Sequence, residues 1–137
     1  MRAYILGGIM LAGVLMAGSS MKAHHSFAAE FDANKPVTLT GVVTKIEWTN
    51  PHVWFYVNVK DQKTGEVTNW GAEMGPPHGL QRQGWRRDTL KIGEEVTVSG
   101  SLAKNGSKRM NARNVKLTAT GGAPRELDAV SSQGRTP

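Results

Sequence analysis

The sequence predicts an all-β domain with one short helix, and three observations carry that reading. From Val37 to Leu117 large apolar residues recur mostly at every second position rather than at helical spacing. The alternating runs are short and are separated by turn formers, above all Asn50-Pro51, Gly75-Pro76-Pro77 and Asn105-Gly106. The stretch from His78 to Trp85 breaks the alternation and holds only Leu80 and Trp85 as large apolar residues, which suits a single short helix. With 137 residues, 39% of them hydrophobic and 20% charged, the chain has room for one globular domain.

Residues 1–23 are expected to be a signal peptide. Arg2 precedes a charge-free stretch that reaches Met21 and is apolar from Ala3 to Ala17; Gly18, Ser19 and Ser20 then open a small-residue region. A spanning helix needs roughly 20 apolar residues, and Gly7, Gly8 and Gly13 weaken this shorter one. Export by the general secretory route to a periplasm follows, with cleavage near Ala23 or Ser19. Membrane contact is then confined to the uncleaved segment. Cutting after Ala23 removes Arg2 and Lys22 and leaves 15 basic against 11 acidic residues, a mildly basic +4. The chain has no cysteine, which excludes a disulfide framework, an iron–sulfur or zinc–thiolate site and a thiol nucleophile.

Residues 24–36 read as a lead-in in which Phe27 and Phe31, four apart, can share one face of a helical turn before Pro36 ends it. The domain proper spans 37–118. Its first strand, Val37 to Trp48, changes phase once, and Gly41 at the switch predicts a bulge there. The second strand is the most regular: Val53, Phe55, Val57 and Val59 face one way, Trp54, Tyr56, Asn58 and Lys60 the other. A third runs from Glu66 to Met74 with Trp70, Ala72 and Met74 on one face. After the helix, Val96, Val98 and Leu102 alternate in a fourth strand. Asn105-Gly106 forms a hairpin turn, because both central positions of the favoured turn need positive φ. A fifth strand follows from Arg109 to Leu117, with Ala112, less regularly Val115, and Leu117 inward. Residues 119–137, rich in Gly, Ser, Pro and Arg, are expected to form a disordered tail.

Three strands, a short helix and a two-stranded hairpin, with the first strand long and bulged, are the layout of an OB-fold-like, five-stranded, partly open barrel. A two-layer α+β antiparallel sheet is the alternative. The run HHSFAAEFDANKPVTLTGVVTKIEWTNPHVWFYV, together with Asn69-Trp70, GWRRDTLKIGEEVTVSG at 84–100 and NARNVKL at 111–117, resembles the small exported bacterial domain-of-unknown-function family 6152. The resemblance spans His24 to about Leu117. It implies a secreted β domain behind a signal peptide and brings no activity with it. Where the family's usual pattern has a Ser-Pro segment, this chain has Gly75-Pro76-Pro77-His78, which sets His78 apart from any shared site.

Familiar catalytic spacings are missing: there is no G-x-S-x-G, no H-E-x-x-H and no phosphate-binding glycine loop. Glu94-Glu95 at a strand start would point opposite ways and reads as a solvated turn. The expectation is therefore a non-enzymatic binding module for a small ligand or a periplasmic protein. In OB-folds the loops between strands one and two and between strands four and five flank the ligand face. That places Trp48, Asn50, His52, Trp54 and Tyr56 as the candidate ligand-binding residues. Trp54 and Tyr56 could stack on a ligand, or Phe27 and Phe31 could cover them. Lys104, Lys108, Arg109 and Arg113 put positive charge around the last hairpin, but the compartment disfavours nucleic acid. The alternative is a copper or zinc site built from His24, His25 and His52, in which a free amine and ring nitrogen at His24 would chelate the metal. The competing account is a mobile mature terminus and a turn histidine bonded to backbone.

Overall fold

The computed structural model describes residues 27–118 and 123–133. Among the described residues it holds a six-stranded sheet, a helical turn at 27–30 and one short helix between strands: β1 Phe31–Glu47, β2 Trp54–Lys60, β3 Val67–Glu73, α1 Pro77–Arg82, β4 Glu95–Ala103, β5 Arg109–Leu117 and β6 Arg125–Asp128. The strand order is β3-β2-β1-β4-β5-β6, with β3 paired in addition to β5. Neighbours are antiparallel, except that Gly71–Glu73 runs parallel to Arg109–Asn111. That last pairing closes a ring of hydrogen bonds through β1 to β5, the five-stranded OB-like arrangement that the alternation predicts.

The ring encloses the core. Phe55 and Val57 of β2 and Val53 just before it are buried with Ala72, Met74, Val96, Val98, Met110, Ala112 and Val115, and Val59 packs against the same core. The predicted phase of β2 holds in full. That of β5 holds too, but in β4 it holds only for Val96 and Val98: past the shift in pairing, where Ser99 faces Asn114 while Gly100 faces Ala112, Ser101 and Ala103 are buried and the expected Leu102 is half-buried. The same shift accounts for the irregular step between Ala112 and Val115. Arg113 is the extra residue of that bulge. Gly100 is required beside it, since a Cβ would lie 1.9 Å from the Asn111 carbonyl oxygen.

In three further places the structure departs from the sequence reading. First, β1 begins at Phe31 and takes in the last six residues of the expected lead-in; 27–30 before it are helical. Pro36 is tolerated because it sits at an irregularity, where the pairing of β1 with β4 shifts between Phe31 and Pro36. Second, the β1 bulge lies between Val43 and Lys45, not at Gly41. The Thr44 hydroxyl there donates to the Tyr56 carbonyl at 3.3 Å. Val43 is consequently the buried residue and Val42 is exposed. Gly41 answers a different need: the Asn58 carbonyl oxygen passes 2.5 Å from where its Cβ would stand.

The third departure is the tail. Residues expected to be disordered form β6 on the free edge of β5, from Asn114 opposite Asp128 to Leu117 opposite Arg125. Composition misled because few apolar groups suffice here: Ala129 is fully buried, while Leu127 and Val130 pack against the core. Backbone bonds do the rest. Gly75 N–H donates to the Ala129 carbonyl, and Ala129 N–H to the Arg113 carbonyl, each at 2.8 Å. The buried Trp85 indole donates to the Asp128 carbonyl at 2.8 Å. The helix itself is short: Pro77 opens it in the first turn, Leu80 is its buried residue, and Gly84 (φ 92°) turns the chain so that Trp85 enters the core.

Candidate functional site

The alternation that buries Phe55 turns Trp54 and Tyr56 outward, and the pairing decides their neighbours. Trp54 lies opposite Glu47 on β1 and Glu73 on β3; Tyr56 lies opposite Lys45 and Gly71. The two rings stack with centroids 6.5 Å apart and planes inclined by 23°. Gly71 is where Tyr56 settles, its ring 3.2 Å from a Cβ at that position. Cations sit on both rings: Arg109 over Trp54 at 4.4 Å and Lys45 over Tyr56 at 5.5 Å. Lys45 is also paired with Glu47 at 2.7 Å. The lead-in covers part of this face, Phe27 and Phe31 forming a small cluster with Ala103 against Trp54. Tyr56, half-buried, lies outside that cluster.

The loop before β2 brings the other candidates to the same end without uniting them. Trp48 packs against the core, and Asn50 is exposed and joined to Pro51 by a cis peptide bond. His52 turns inward: its Nδ1 lies 3.1 Å from the Met74 carbonyl oxygen. A carbonyl can only accept, so Nδ1 carries the proton and a neutral His52 keeps its lone pair on Nε2. The same Nδ1 is 3.9 Å from Glu73 Oε1. Among the described residues no group of three or more His, Asp or Glu gathers as a metal cluster; His24 and His25 lie outside them.

Glu73 heads a polar network that sequence reasoning missed. Asn111 Nδ2 donates to Glu73 Oε1 and to Ser132 Oγ, each at 3.1 Å, while Ser131 Oγ donates to Asn111 Oδ1 at 2.5 Å. Both Glu73 and Asn111 are buried. The only signal available was a lone acid between Ala72 and Met74, and nothing local said that Asn111 would link it to the serines of the tail. Burial holds the Glu73 carboxyl above the ordinary carboxylate range; the Glu30 charge adds to this, and His52, Asn111 and Arg109 work against it. The folded state thus favours protonated Glu73. Its stabilising effect is complete at acid pH and is lost as pH rises through the folded-state value. Glu73→Gln, which keeps an acceptor for Asn111, is expected to be indistinguishable from wild type in urea midpoint at pH 4 and more stable at pH 7. A midpoint difference that does not open with pH would contradict this account.

Beside the aromatic pair a groove of about 210 Å3 opens between the lead-in and the β4–β5 loop. Ala29, Glu30, Phe31, Ala103, Lys104, Asn105, Ser107 and Arg109 line it. Two bonds tie its walls together: Lys104 N–H donates to the Glu30 carbonyl at 2.8 Å, and the Lys104 ammonium donates to the Ala28 carbonyl. Arg109 therefore borders both the groove and the aromatic face.

The fold and this face define a small OB-like β domain with a cation-flanked aromatic pair on the outward face of β2. The chain belongs to DUF6152, a family of unknown function, which it matches over residues 12–112. No curated protein matches it. Among solved structures it is similar to the ZRD-deleted mutant of TiaS in complex with agmatine, with a TM-score of 0.48 and 21% identity over 76% of this chain. The chain spans 28% of that protein's chain.

Proposed function

We propose that the protein is a non-enzymatic binding module of the periplasm, exported behind a signal peptide over residues 1–23, that takes a small ligand on the outward face of β2 beside the β4–β5 loop. The observation that carries this reading is the stacked Trp54–Tyr56 pair, held between Lys45 and Arg109 and adjoining a groove lined by polar side chains. The groove is small beside pockets of about 300–1,000 Å3 that take drug-sized molecules, so the ligand is of fragment size. A copper or zinc site using His24, His25 and His52 is the second reading. Its support is that Met74 fixes the proton on His52 Nδ1 and leaves Nε2 as the donor, the arrangement common in metal-ligating histidines.

One experiment separates the two. Isotope-labelled protein beginning at His24 is screened by amide chemical shifts against a fragment library and, separately, against Cu(II). The binding reading expects fragments that move the amides of Trp54, Tyr56 and 103–109 and lose this effect in Tyr56→Ala. Fragments that map only elsewhere overturn it. Cu(II) binding tighter than to a bare His-His-Ser peptide, and weakened by His52→Ala, would favour the metal site instead.

A further inference from the structure

We infer that the groove at the β4–β5 loop is a subsite for a small organic anion, its oxyanion head held by Arg109, Lys104 and Ser107 and its apolar body by Phe31 and Ala103. The inference rests on the reading of this face as a ligand site and names the class of ligand.

Arg109 is the centre of the argument. Its guanidinium carbon lies 4.4 Å from the centroid of the Trp54 ring, and the group carries five N–H donors. Among the described residues none of those donors has a hydrogen-bond or ion-pair partner. The neighbouring cations are otherwise engaged: Arg113 donates to Gln133 and Lys108 sits over Trp70. Arg109 is thus a fork held beside the Trp54 ring, without a hydrogen-bond partner among the described residues, at the wall of a groove. Bidentate capture of an oxyanion is the chemistry that such a fork serves best.

Two further groups fit. Lys104 lines the same groove and its ammonium is steadied by the Ala28 carbonyl, which uses one of its three protons. Ser107 also lines the groove, and its hydroxyl oxygen is buried with no partner among the described residues. A buried hydroxyl left unpaired is destabilising, and an oxyanion reached by rotation about its Cα–Cβ bond would give it a partner. Lys104 and Arg109 outweigh the single carboxylate, Glu30. Phe31 and Ala103, both buried, give the other wall an apolar surface that a free inorganic anion would not use.

The test titrates labelled protein at constant ionic strength with benzoate, acetate, inorganic phosphate and benzylamine. Benzoate is expected to shift the amides of 29–31 and 103–109 saturably, acetate and phosphate to bind more weakly, and benzylamine not to bind. Arg109→Gln should weaken benzoate by about tenfold or more, the loss of a charge-assisted pair, and Ser107→Ala by a smaller factor. Arg109→Lys, which keeps the charge and the ring contact, should retain part of the affinity; thermal melts of each variant show whether the fold is intact. Benzylamine or phosphate binding as tightly as benzoate, or benzoate indifferent to Arg109→Gln, overturns the assignment. So do groove shifts that follow protein concentration instead of ligand, which would give the groove to a second copy of the chain. Neutral or cationic fragments that move Trp54 and Tyr56 while benzoate does nothing would leave the binding module standing and remove only the anion.

Discussion

Phe55→Ala is expected to destabilise the domain by about 3–5 kcal/mol, whereas Tyr56→Ala, one residue along, costs about 1 kcal/mol. The difference comes from β2 being a wall of the five-strand ring. Phe55 is fully buried among Val53, Val57, Ala72 and Met110, and removing its ring leaves a cavity that strands on every side cannot close. Tyr56 stands on the other face. It loses its stack on Trp54, its contact with Gly71, and a hydroxyl bond to Glu47 that is long at 3.4 Å, and water replaces much of this. A loss of 3–5 kcal/mol is a large part of the 5–15 kcal/mol that holds a typical domain together, so the first variant should melt far below the second. Paired urea unfolding curves measure both. Equal shifts would mean that the inward and outward faces of β2 are exchanged.

That prediction could be written from the sequence, and the reason shows what was legible there. Alternation reports which face of a strand is wet, and β2, β4 and β5 declare it through Phe55, Val98 and Leu117. Turn chemistry is also local, so Asn105-Gly106 and Gly75-Pro76-Pro77 mark the ends of elements. The sequence points to Gly41 for the β1 bulge because a glycine at a phase change has two physical meanings. Either the strand bulges there or a neighbouring backbone passes close. Only the partner strand, with the Asn58 carbonyl against Gly41, distinguishes them.

The candidate site was legible to a lesser degree, because it depends on what lies across strands. Trp54, Tyr56 and His52 could be named from one strand and the loop before it. Their partners come from far along the chain: Arg109 from the last hairpin, Glu30 from the lead-in, Glu73 from the end of β3. The parallel pairing that sets Gly71 beside Arg109 and Glu73 beside Asn111 leaves no periodic trace, since it joins two strands that alternate independently. Trp48 illustrates the converse. Its neighbours in sequence suggest a ligand loop, yet the bulge before it turns it toward the core.

Removing residues 123–137 is expected to lower stability by about 3 kcal/mol or more. The melting temperature should fall by roughly 10–20 °C for a domain of this size. A tail of the composition seen here invites the opposite expectation, that nothing would change. The structure gives three reasons for a loss. Leu127, Ala129 and Val130 would no longer cover the core, and Val130 lies so close over Gly75 that a Cβ there would meet it at 2.7 Å. The Trp85 indole and the Gly75 and Ala129 backbone groups would lose the bonds that now tie the tail down. Asn111 would lose Ser131 and Ser132 and be left with Glu73, whose carboxylate would then be hydrated. This last change gives the truncation a second signature. With the cover gone, the burial that raises Glu73 is relieved, so the stability gain of Glu73→Gln at pH 7 should shrink in the truncated chain. A double-mutant comparison at pH 4 and pH 7 measures that coupling. An unchanged melting temperature would show that β6 contributes no stability, and an unchanged gain from Glu73→Gln would show that the tail does not bury the Glu73 carboxyl.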